Sequence, residues 1–466
     1  MKTVRETDFA YQAVYRYLTL LINDSASSGA VRLPSLRHLA VRLNVSISTI
    51  QYAYSLLEKE GRVYSVAKSG YYAQVPELAV APGIGSDLLE AVYVNARQMG
   101  MCVLSADEPA SLQPLDSPLL TLERELLRQY PRQPQLLVQP CGELELRTAL
   151  AARYTSSPVN YWHADDVYVG ADLRSVLEIL ISVLQLRHTT VLVESPCDWV
   201  ILRLFATAEV RMIELPLQAD GTIDPQHLTS LLKSERVGFI LLSSALSLPH
   251  GSSGPQANRQ AIAQLLAEHG TWVLENDCCS ELADEPNGQR LRDWLDPDRL
   301  LVFSTFDKVI GAEAPYGYLL SRHWRDELQR HFLLRAFRLS ANRQKAIARL
   351  YASGRVDQHL LVLKRLLKER RTYLIQLLRE RAGDALQIVE PQGGATVWVR
   401  SVRRVDMSEV FYRLLRQLIV VAPGELFSLQ GRYRQHLRLS PISHSDHDLA
   451  CVVGRVADTL RLAPGD

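Results

Sequence analysis

A single lysine, Lys308, follows a strand-like run and a short polar turn in the stretch RLLVFSTFDK. A lysine amine that is neutral and accessible can attack a carbonyl carbon and form a Schiff base. Most lysines placed just after a strand are only solvated, so this position alone indicates little. The residues that the fold brings near Lys308 decide whether it has a chemical role.

An arginine and three cysteines are further candidates. Arg438 lies in the basic stretch GRYRQHLR. Because guanidinium groups bind carboxylates strongly, Arg438 either holds the carboxylate of an effector or pairs with an acidic neighbour. Cys197, Cys278 and Cys279 are either thiol sensors or small buried side chains, and we expect the latter. The six cysteines show no C-x-x-C spacing, so neither a metal site nor a disulfide framework is predicted.

The composition indicates a multidomain globular protein. The chain has 466 residues, of which 47% are apolar and 22% are charged. This length exceeds one ordinary core, so two or three domains are expected. No apolar run reaches the roughly 18–20 residues of a membrane span, and the N-terminus lacks the apolar stretch of a secretory signal. We therefore expect a cytoplasmic protein with no membrane partner.

The N-terminal residues predict a small DNA-binding fold. Apolar residues at helical spacing predict a helix over 9–23, and capped helices follow in LPSLRHLAVRLN and STIQYAYSLLEKEG. Two strand-like pieces around Ser69-Gly70 complete a winged helix-turn-helix. Residues 1–75 carry nine Lys/Arg against five Asp/Glu, a balance compatible with binding a polyanion.

In a helix-turn-helix, the start of the second helix approaches the base edges and phosphates of the major groove. Hydroxyls and helix-end amides suit phosphate oxygens, and a glutamine can read a base. The tip of the wing typically reaches the neighbouring minor groove. The candidate DNA-contacting residues are Ser35, Arg37, Ser46, Ser48, Thr49, Gln51, Tyr52, Lys68, Ser69 and Gly70. The alternative is a helical docking domain without a role on DNA.

The rest of the chain predicts an α/β architecture. Residues 76–115 have the composition of a linker that contains a helix. From 116 to 340, strand-like runs alternate with helical ones, which is typical of a largely parallel sheet. A long helical region and an α+β segment then form a smaller C-terminal domain, 341–466.

The N-terminal module closely resembles the GntR family of bacterial regulators. The motifs that carry this resemblance are LPSLRHLAVRLNVSISTIQYAYSLLEKEG and the wing AKSGYY. The resemblance implies that residues 1–75 bind a double-stranded DNA operator. The family commonly has an arginine where this chain has Ile47, so one phosphate or base contact is expected to be missing.

The larger module resembles fold-type I aminotransferases, through PCGELELRTALAARY, VESPCDW, VLENDCCSEL, STFDK and VAPGELFSLQGRYRQHLRLS. Joined to a GntR-type head, this resembles the MocR subfamily. The resemblance implies a winged helix-turn-helix followed by aminotransferase-like large and small domains, and a homodimer. It also implies pyridoxal 5'-phosphate as cofactor, with Lys308 as its Schiff-base lysine and Arg438 as the arginine that holds a carboxylate.

Several contacts that this cofactor needs are replaced. The pyridine nitrogen needs a carboxylate, the phosphate needs helix-end amides and an arginine, and the ring needs an aromatic neighbour. The residues that stand at the family's contact positions are Asn276, Cys279, Leu248, Asp198 and Pro315. Trp199 and Asp277 are each displaced by one position from the residue that the family uses.

These replacements favour a transcriptional regulator whose aminotransferase-like domain binds an unknown small-molecule effector without transaminase turnover. The first alternative is a regulator that keeps pyridoxal phosphate on Lys308. The second is an active aminotransferase. A third interpretation leaves Lys308 without any chemical role.

Overall fold

The structure, a computed structural model, describes residues 10–25, 32–60, 62–66, 69–73, 87–98, 100–129, 139–284, 290–335, 337, 339–442 and 449–464. The chain forms two compact units, Met1–Asp87 and Leu88–Asp466. The division between them falls inside the predicted linker, 76–115. The finer bounds at 75, 115 and 340 remain predictions. In the part of the chain that the structure describes, no helix is long and apolar enough to cross a membrane.

Among the residues that the structure describes, the first unit contains three helices and a hairpin. The elements are α1 (Ala10–Ser25), α2 (Leu36–Leu43), α3 (Ile47–Lys59), β1 (Val63–Val66) and β2 (Gly70–Ala73). Strands β1 and β2 pair antiparallel, with Val66 opposite Gly70 at the turn. Gly70 has φ of +117°, a conformation that glycine adopts at little cost.

Helix-end hydroxyls and a small apolar core explain this local structure. The side chain of Ser35 accepts a hydrogen bond at the start of α2, and that of Ser46 does so at the start of α3. Such caps satisfy backbone N–H groups that the helix itself leaves unpaired. Leu18, Leu39 and Ile50 are fully buried between the three helices. The sequence-based prediction of a winged helix-turn-helix is confirmed.

The second unit alternates helices with strands. Its helices are α4 (Leu88–Ala96), α5 (Asp116–Gln129), α6 (Leu144–Tyr154), α7 (Leu173–Val183), α8 (Trp199–Thr207), α9 (Pro225–Ser234), α10 (Gln256–His269), α11 (Arg325–Arg335), α12 (Ala341–Ala352), α13 (Arg355–Ala382), α14 (Met407–Leu415) and α15 (Leu449–Leu462). Its strands are β3 (Cys102–Val103), β4 (Val167–Val169), β5 (Thr190–Ser195), β6 (Arg211–Pro216), β7 (Val237–Ser243), β8 (Trp272–Asn276), β9 (Leu300–Thr305), β10 (Gly317–Ser321), β11 (Leu386–Ile388), β12 (Val397–Ser401), β13 (Ile419–Val420), β14 (Ala422–Pro423) and β15 (His436–Leu439).

Seven of these strands form the central sheet, in the order β4-β10-β9-β8-β7-β5-β6. Strands β5 to β9 pair parallel, whereas β10 runs antiparallel to both of its neighbours. The central strands β5 and β9 are buried along their whole length, as expected for a sheet covered by helices on both faces. The carboxyl ends of β8 and β9 therefore meet at one edge of the sheet.

A second sheet, in the order β11-β12-β15-β14, belongs to the C-terminal part. Strand β3 pairs parallel with β13, so the segment before residue 105 is tied to this part of the unit. The fold class predicted from sequence, a winged helix followed along the chain by an α/β aminotransferase-like body, agrees with this topology.

Candidate functional site

A cavity of about 510 Å³ lies at the carboxyl edge of the central sheet. The last residues of β8 and β9, Asn276 and Thr305, line it, as does Lys308 in the turn after β9. In open α/β sheets, ligands bind at this edge, because helix starts and loop side chains converge there. The cavity is therefore the candidate ligand site of the second unit.

Lys308 is held in an ion pair within this cavity. Its Nζ lies 2.9 Å from Oδ2 of Asp107 and also donates to the backbone carbonyl of the same residue. Burial alone would lower the pKa of Lys308, yet the carboxylate of Asp107 raises it well above its ordinary value. The pKa of Asp107 is lowered in turn, against the effect of burial, by Lys308 and then Arg438. The amine is therefore held in its charged form.

Arg438 is the second cation at this point. It lies on β15 with 2% of its surface exposed, and one terminal nitrogen is 3.7 Å from the Asp107 carboxylate. The other terminal nitrogen donates to the carbonyl of Ser105 at 2.5 Å. The guanidinium carbon lies 4.4 Å from the ring centre of Trp199 and 5.1 Å from that of Phe427, which fixes the group by cation–π contact. The buried Nε has no hydrogen-bond partner among the residues described.

Two helix starts open into the same cavity, and each is capped by an aspartate of the chain itself. Asp172 accepts from the backbone N–H of Ser175 at 2.7 Å at the start of α7. Asp198 accepts from that of Val200 at 2.8 Å at the start of α8. Burial raises the pKa of Asp198, and the neighbouring carboxylate of Asp107 raises it further. These capping hydrogen bonds occupy some of the backbone N–H groups that could otherwise bind an external anion. Each aspartate also adds negative charge to the cavity.

The residues at the other predicted contact positions line the cavity as neutral groups. They are Asn276, Cys279, Leu248 and Pro315. Oδ1 of Asn276 accepts from the backbone N–H of Cys278 at 3.2 Å. None of these four side chains supplies a carboxylate or a cation.

The three candidate cysteines are separated by the structure. Cys278 and Cys279 line the cavity, whereas Cys197 is not among the residues that line it. Burial raises the pKa of all three thiols. A thiol reacts as its thiolate, so these raised pKa values oppose a role as reactive thiols; Cys197 and Cys278 are buried, and Cys279 is half-buried.

Asp277, the carboxylate next to Asn276, does not line the cavity. It is 3% exposed, accepts from the hydroxyl of Tyr154 at 2.5 Å, and forms ion pairs with Arg292 at 2.5 Å and Arg290 at 3.3 Å. Burial alone would raise the pKa of Asp277, but the two arginines lower it to about 2. This carboxylate stabilises the interior and takes no part in the cavity.

The candidate DNA surface of the first unit is the start of α3. Hydroxyls of Ser46, Ser48 and Thr49 cluster there, with Oγ of Ser46 at 2.8 Å from that of Ser48 and 2.7 Å from Oγ1 of Thr49. Ser48 and Gln51 are exposed, and Tyr52 keeps 52% of its surface exposed. Ser46 also caps the helix, so its hydroxyl has a structural role as well.

Around the hairpin turn, the structure adds a residue that sequence reasoning missed. Arg32 donates to the backbone carbonyl of Ser69 at 2.5 Å and places a cation beside Gly70. The only sequence feature that pointed to Arg32 was its position just before the helix start at Pro34-Ser35. Arg37 is exposed on α2. Lys68 lies outside the described residues.

Asp107 is a residue of the cavity that the sequence analysis missed. The segment that contains it was predicted as part of a linker, with no site residue in it. The structure instead places its carboxylate between Lys308 and Arg438. An irregular segment has no periodic pattern, so the sequence offered no signal for this position.

Comparison with known proteins agrees with both parts of this description. Residues 10–72 match the GntR family of bacterial regulatory proteins. The chain is 25% identical over 461 residues to the uncharacterized HTH-type transcriptional regulator YjiR of Escherichia coli, covering 94% of this chain and 98% of that one. It is 26% identical over 447 residues to the uncharacterized HTH-type transcriptional regulator YdcR of the same organism, covering 91% of this chain and 94% of that one.

Solved structures of aminotransferases have the same fold as the second unit. The multiple substrate aminotransferase of Thermococcus profundus matches with a TM-score of 0.72 at 19% identity, covering 81% of this chain and 95% of that chain. The α-aminoadipate aminotransferase LysN of Thermus thermophilus matches with a TM-score of 0.71 at 20% identity and covers 81% and 95%. The chain therefore joins a GntR-type helix-turn-helix to an aminotransferase-like domain, an arrangement that is consistent with the DNA-binding transcriptional regulators of the MocR subfamily.

Proposed function

We propose that the aminotransferase-like domain of this regulator is a ligand-sensing module without transaminase turnover, and that residues 1–75 read the operator. The observation that carries the proposal is the ion pair between Lys308 and Asp107, 2.9 Å apart. Schiff-base chemistry requires a neutral amine, and this carboxylate keeps the amine protonated. The lysine is thus positioned as a charged anchor.

The residues of the cavity do not fit pyridoxal phosphate. Asn276 cannot hold the proton of a pyridinium nitrogen as a carboxylate would. Pro315 lines the cavity without any donor for the phosphate. Asp172 and Asp198 place carboxylates at the two helix starts, where a phosphate would meet like charge. The aminotransferase fold favours this cofactor, but the side chains of this chain oppose it.

The proposal for the DNA-binding module has two parts. The exposed start of α3, together with Arg37 and the wing residues, contacts the operator. The regulator acts as a homodimer, so its operator contains two half-sites.

An effector in the cavity then changes transcription by binding one arrangement of the dimer more tightly than another.

An amino-transfer assay tests the absence of turnover. The purified protein is incubated with pyridoxal phosphate, 2-oxoglutarate and each of the amino acids other than glutamate, beside the Lys308→Ala variant. We expect glutamate formation to be equal in both proteins and no faster than with free cofactor. Turnover that depends on Lys308 would refute the proposal.

A binding assay tests the role of the first module. The full-length protein selects duplexes from a random pool, and its affinity for the selected duplex is compared with that of a chain lacking residues 1–75. We expect the shortened chain to lose binding, with strong salt dependence in the intact protein because phosphate contacts release counterions. Undiminished affinity of the shortened chain would contradict the assignment.

A further inference from the structure

A second, smaller cavity of about 40 Å³ lies between helix α10 and the carboxyl ends of β5 and β7. Arg259 lines it from the helix, and Glu194 and Ser243 line it from the two strands. Among the described residues, it shares no lining residue with the main cavity, the one around Lys308. We propose that the small cavity binds a small, singly charged anion through the guanidinium of Arg259. This site lies outside the proposed function, which concerns the main cavity and the DNA surface.

Arg259 is a cation without an anionic partner in the part of the chain that the structure describes. Its Nε and one terminal nitrogen are buried there without a hydrogen-bond partner. Burial lowers the pKa of Arg259, and no neighbouring carboxylate raises it. The guanidinium carbon lies 6.0 Å from the ring centre of Trp294, and a ring face does not replace the acceptors that N–H groups need. Two donors of a cation thus remain to be satisfied, and leaving them unsatisfied is costly.

Other buried arginines of the second unit are paired with carboxylates of the chain itself. Arg292 lies 2.9 Å from Glu275, and Arg371 forms an ion pair with Asp284. This arrangement is the expected one, because a buried charge without a partner is strongly destabilising. Arg259 departs from it, so we infer that its counter-ion comes from solution.

The other polar side chains of the small cavity already have partners. Ser243 donates to Glu194 at 2.9 Å, and Ser247 donates to the same carboxyl group. Asn258 exchanges two hydrogen bonds with the backbone of Ile223, at 2.8 and 3.0 Å. The cavity therefore lacks an acceptor and not a donor, which favours an anion over a cation.

The size and charge of the small cavity limit the class of anion. A volume of about 40 Å³ holds roughly one or two water molecules or an ion of similar size. Glu194 lines the same cavity, so a doubly charged ion would meet stronger repulsion there than a singly charged one. Formate and nitrate meet both limits, and their planar shape suits a guanidinium. Sulfate meets neither limit.

One loop separates the small cavity from the main cavity. Ala245 and Ser247 line the small cavity, whereas Leu246 and Leu248 line the main one. An anion in the small cavity therefore packs against the back of one wall of the main cavity. We expect the bound anion to slow the opening of this loop, because it fills the space behind the loop.

Thermal unfolding in sodium formate, followed by tryptophan fluorescence, tests the proposal. Arg259→Met removes the charge and keeps an unbranched side chain. The matched control is Arg299→Met, because Arg299 also lies near a tryptophan ring, 5.7 Å from the centre of Trp272, but donates to the carbonyl of Gly270 at 2.5 Å.

We expect about 100 mM formate to raise the unfolding temperature of the unchanged protein and of Arg299→Met by about 2 °C more than that of Arg259→Met. Sulfate at equal ionic strength should affect the three proteins equally. Equal formate responses in all three proteins would overturn the proposal and leave water as the occupant of the cavity.

Hydrogen exchange followed by mass spectrometry locates the bound anion. Peptides that cover 244–252 should exchange more slowly in formate in the unchanged protein, and formate should not change their exchange in Arg259→Met. Protection confined to other segments would place the ion elsewhere and refute the site.

A second variant covers the case in which Arg259→Met does not fold. Arg259→Lys keeps the charge but loses the planar group and its Nε donor. We expect its formate response to fall to less than about half of that of the unchanged protein. An undiminished response would refute the role of the guanidinium. These measurements involve neither the operator nor the main cavity, so their failure leaves the proposed function standing.

Discussion

Replacing Asp277 by asparagine is expected to destabilise the second unit without affecting the cavity. Asp277 is 3% exposed and is paired with Arg292 at 2.5 Å and Arg290 at 3.3 Å. The variant keeps the size of the side chain and removes its charge. Since Asp277 does not line the cavity, ligand and operator binding should stay unchanged.

The size of the expected loss in the free energy of unfolding follows from the pKa of this carboxyl group. Its pKa falls from 3.8 to about 2 on folding, and a difference of about 1.8 in pKa corresponds to about 2 kcal/mol. Breaking a buried ion pair costs about 3–5 kcal/mol when nothing compensates. In the variant, Arg292 still forms an ion pair with Glu275 at 2.9 Å, which compensates in part for the lost partner. We therefore expect the free energy of unfolding to fall by about 2–3 kcal/mol at neutral pH.

The stabilisation that Asp277 contributes decreases as the pH falls. Because folding lowers this pKa, the stabilisation is fully present above 3.8 and is lost as the pH falls through 2. The difference between the unchanged protein and Asp277→Asn should therefore shrink to about half at pH 3.

Urea unfolding followed by tryptophan fluorescence measures this difference. All six tryptophans lie after residue 87, so the signal reports the second unit. The control is Asp298→Asn, because Asp298 is 69% exposed and 3.6 Å from Arg322, and such pairs contribute under about 1 kcal/mol. Equal stability of Asp277→Asn and Asp298→Asn would refute the reasoning.

Three further predictions concern the DNA surface, a helix cap and the thiols. Arg37→Ala should weaken operator binding and reduce its salt slope by about 1, whereas Arg330→Ala, on the exposed face of α11, should change neither in an anisotropy titration. Ser46→Ala should lower the thermal stability of the first unit by about 1 kcal/mol, followed by circular dichroism; an unchanged transition would contradict the cap. Iodoacetamide should label the exposed Cys451 well before Cys279, whose pKa is raised by burial, and mass spectrometry of the peptides would reveal the opposite order.

The winged helix and the alternating body could be predicted because their patterns are local. Ser35 and Ser46 mark helix starts, apolar residues recur at helical spacing, and strand-like runs alternate with helical ones. Lys308 and Arg438 could be placed by the motifs around them, and the structure brings both to one cavity.

Two aspartates of the cavity, Asp107 and Asp172, were not found in this way. Asp107 lies in an irregular segment, and its meeting with Lys308 depends on a contact across 201 positions of sequence. Asp172 and Asp198 carry a recognisable cap signal, since each precedes a helical run. The two capped helix ends open into one cavity only in the tertiary fold, so the sequence could not show that they meet.

An absorbance titration with pyridoxal phosphate tests the central claim most directly. The full-length protein and its Lys308→Ala variant are compared at equal concentration after removal of unbound cofactor. A lysine that stays paired with Asp107 predicts identical spectra, without a Schiff-base band that depends on Lys308. A band of one cofactor per chain that disappears in Lys308→Ala would contradict the account.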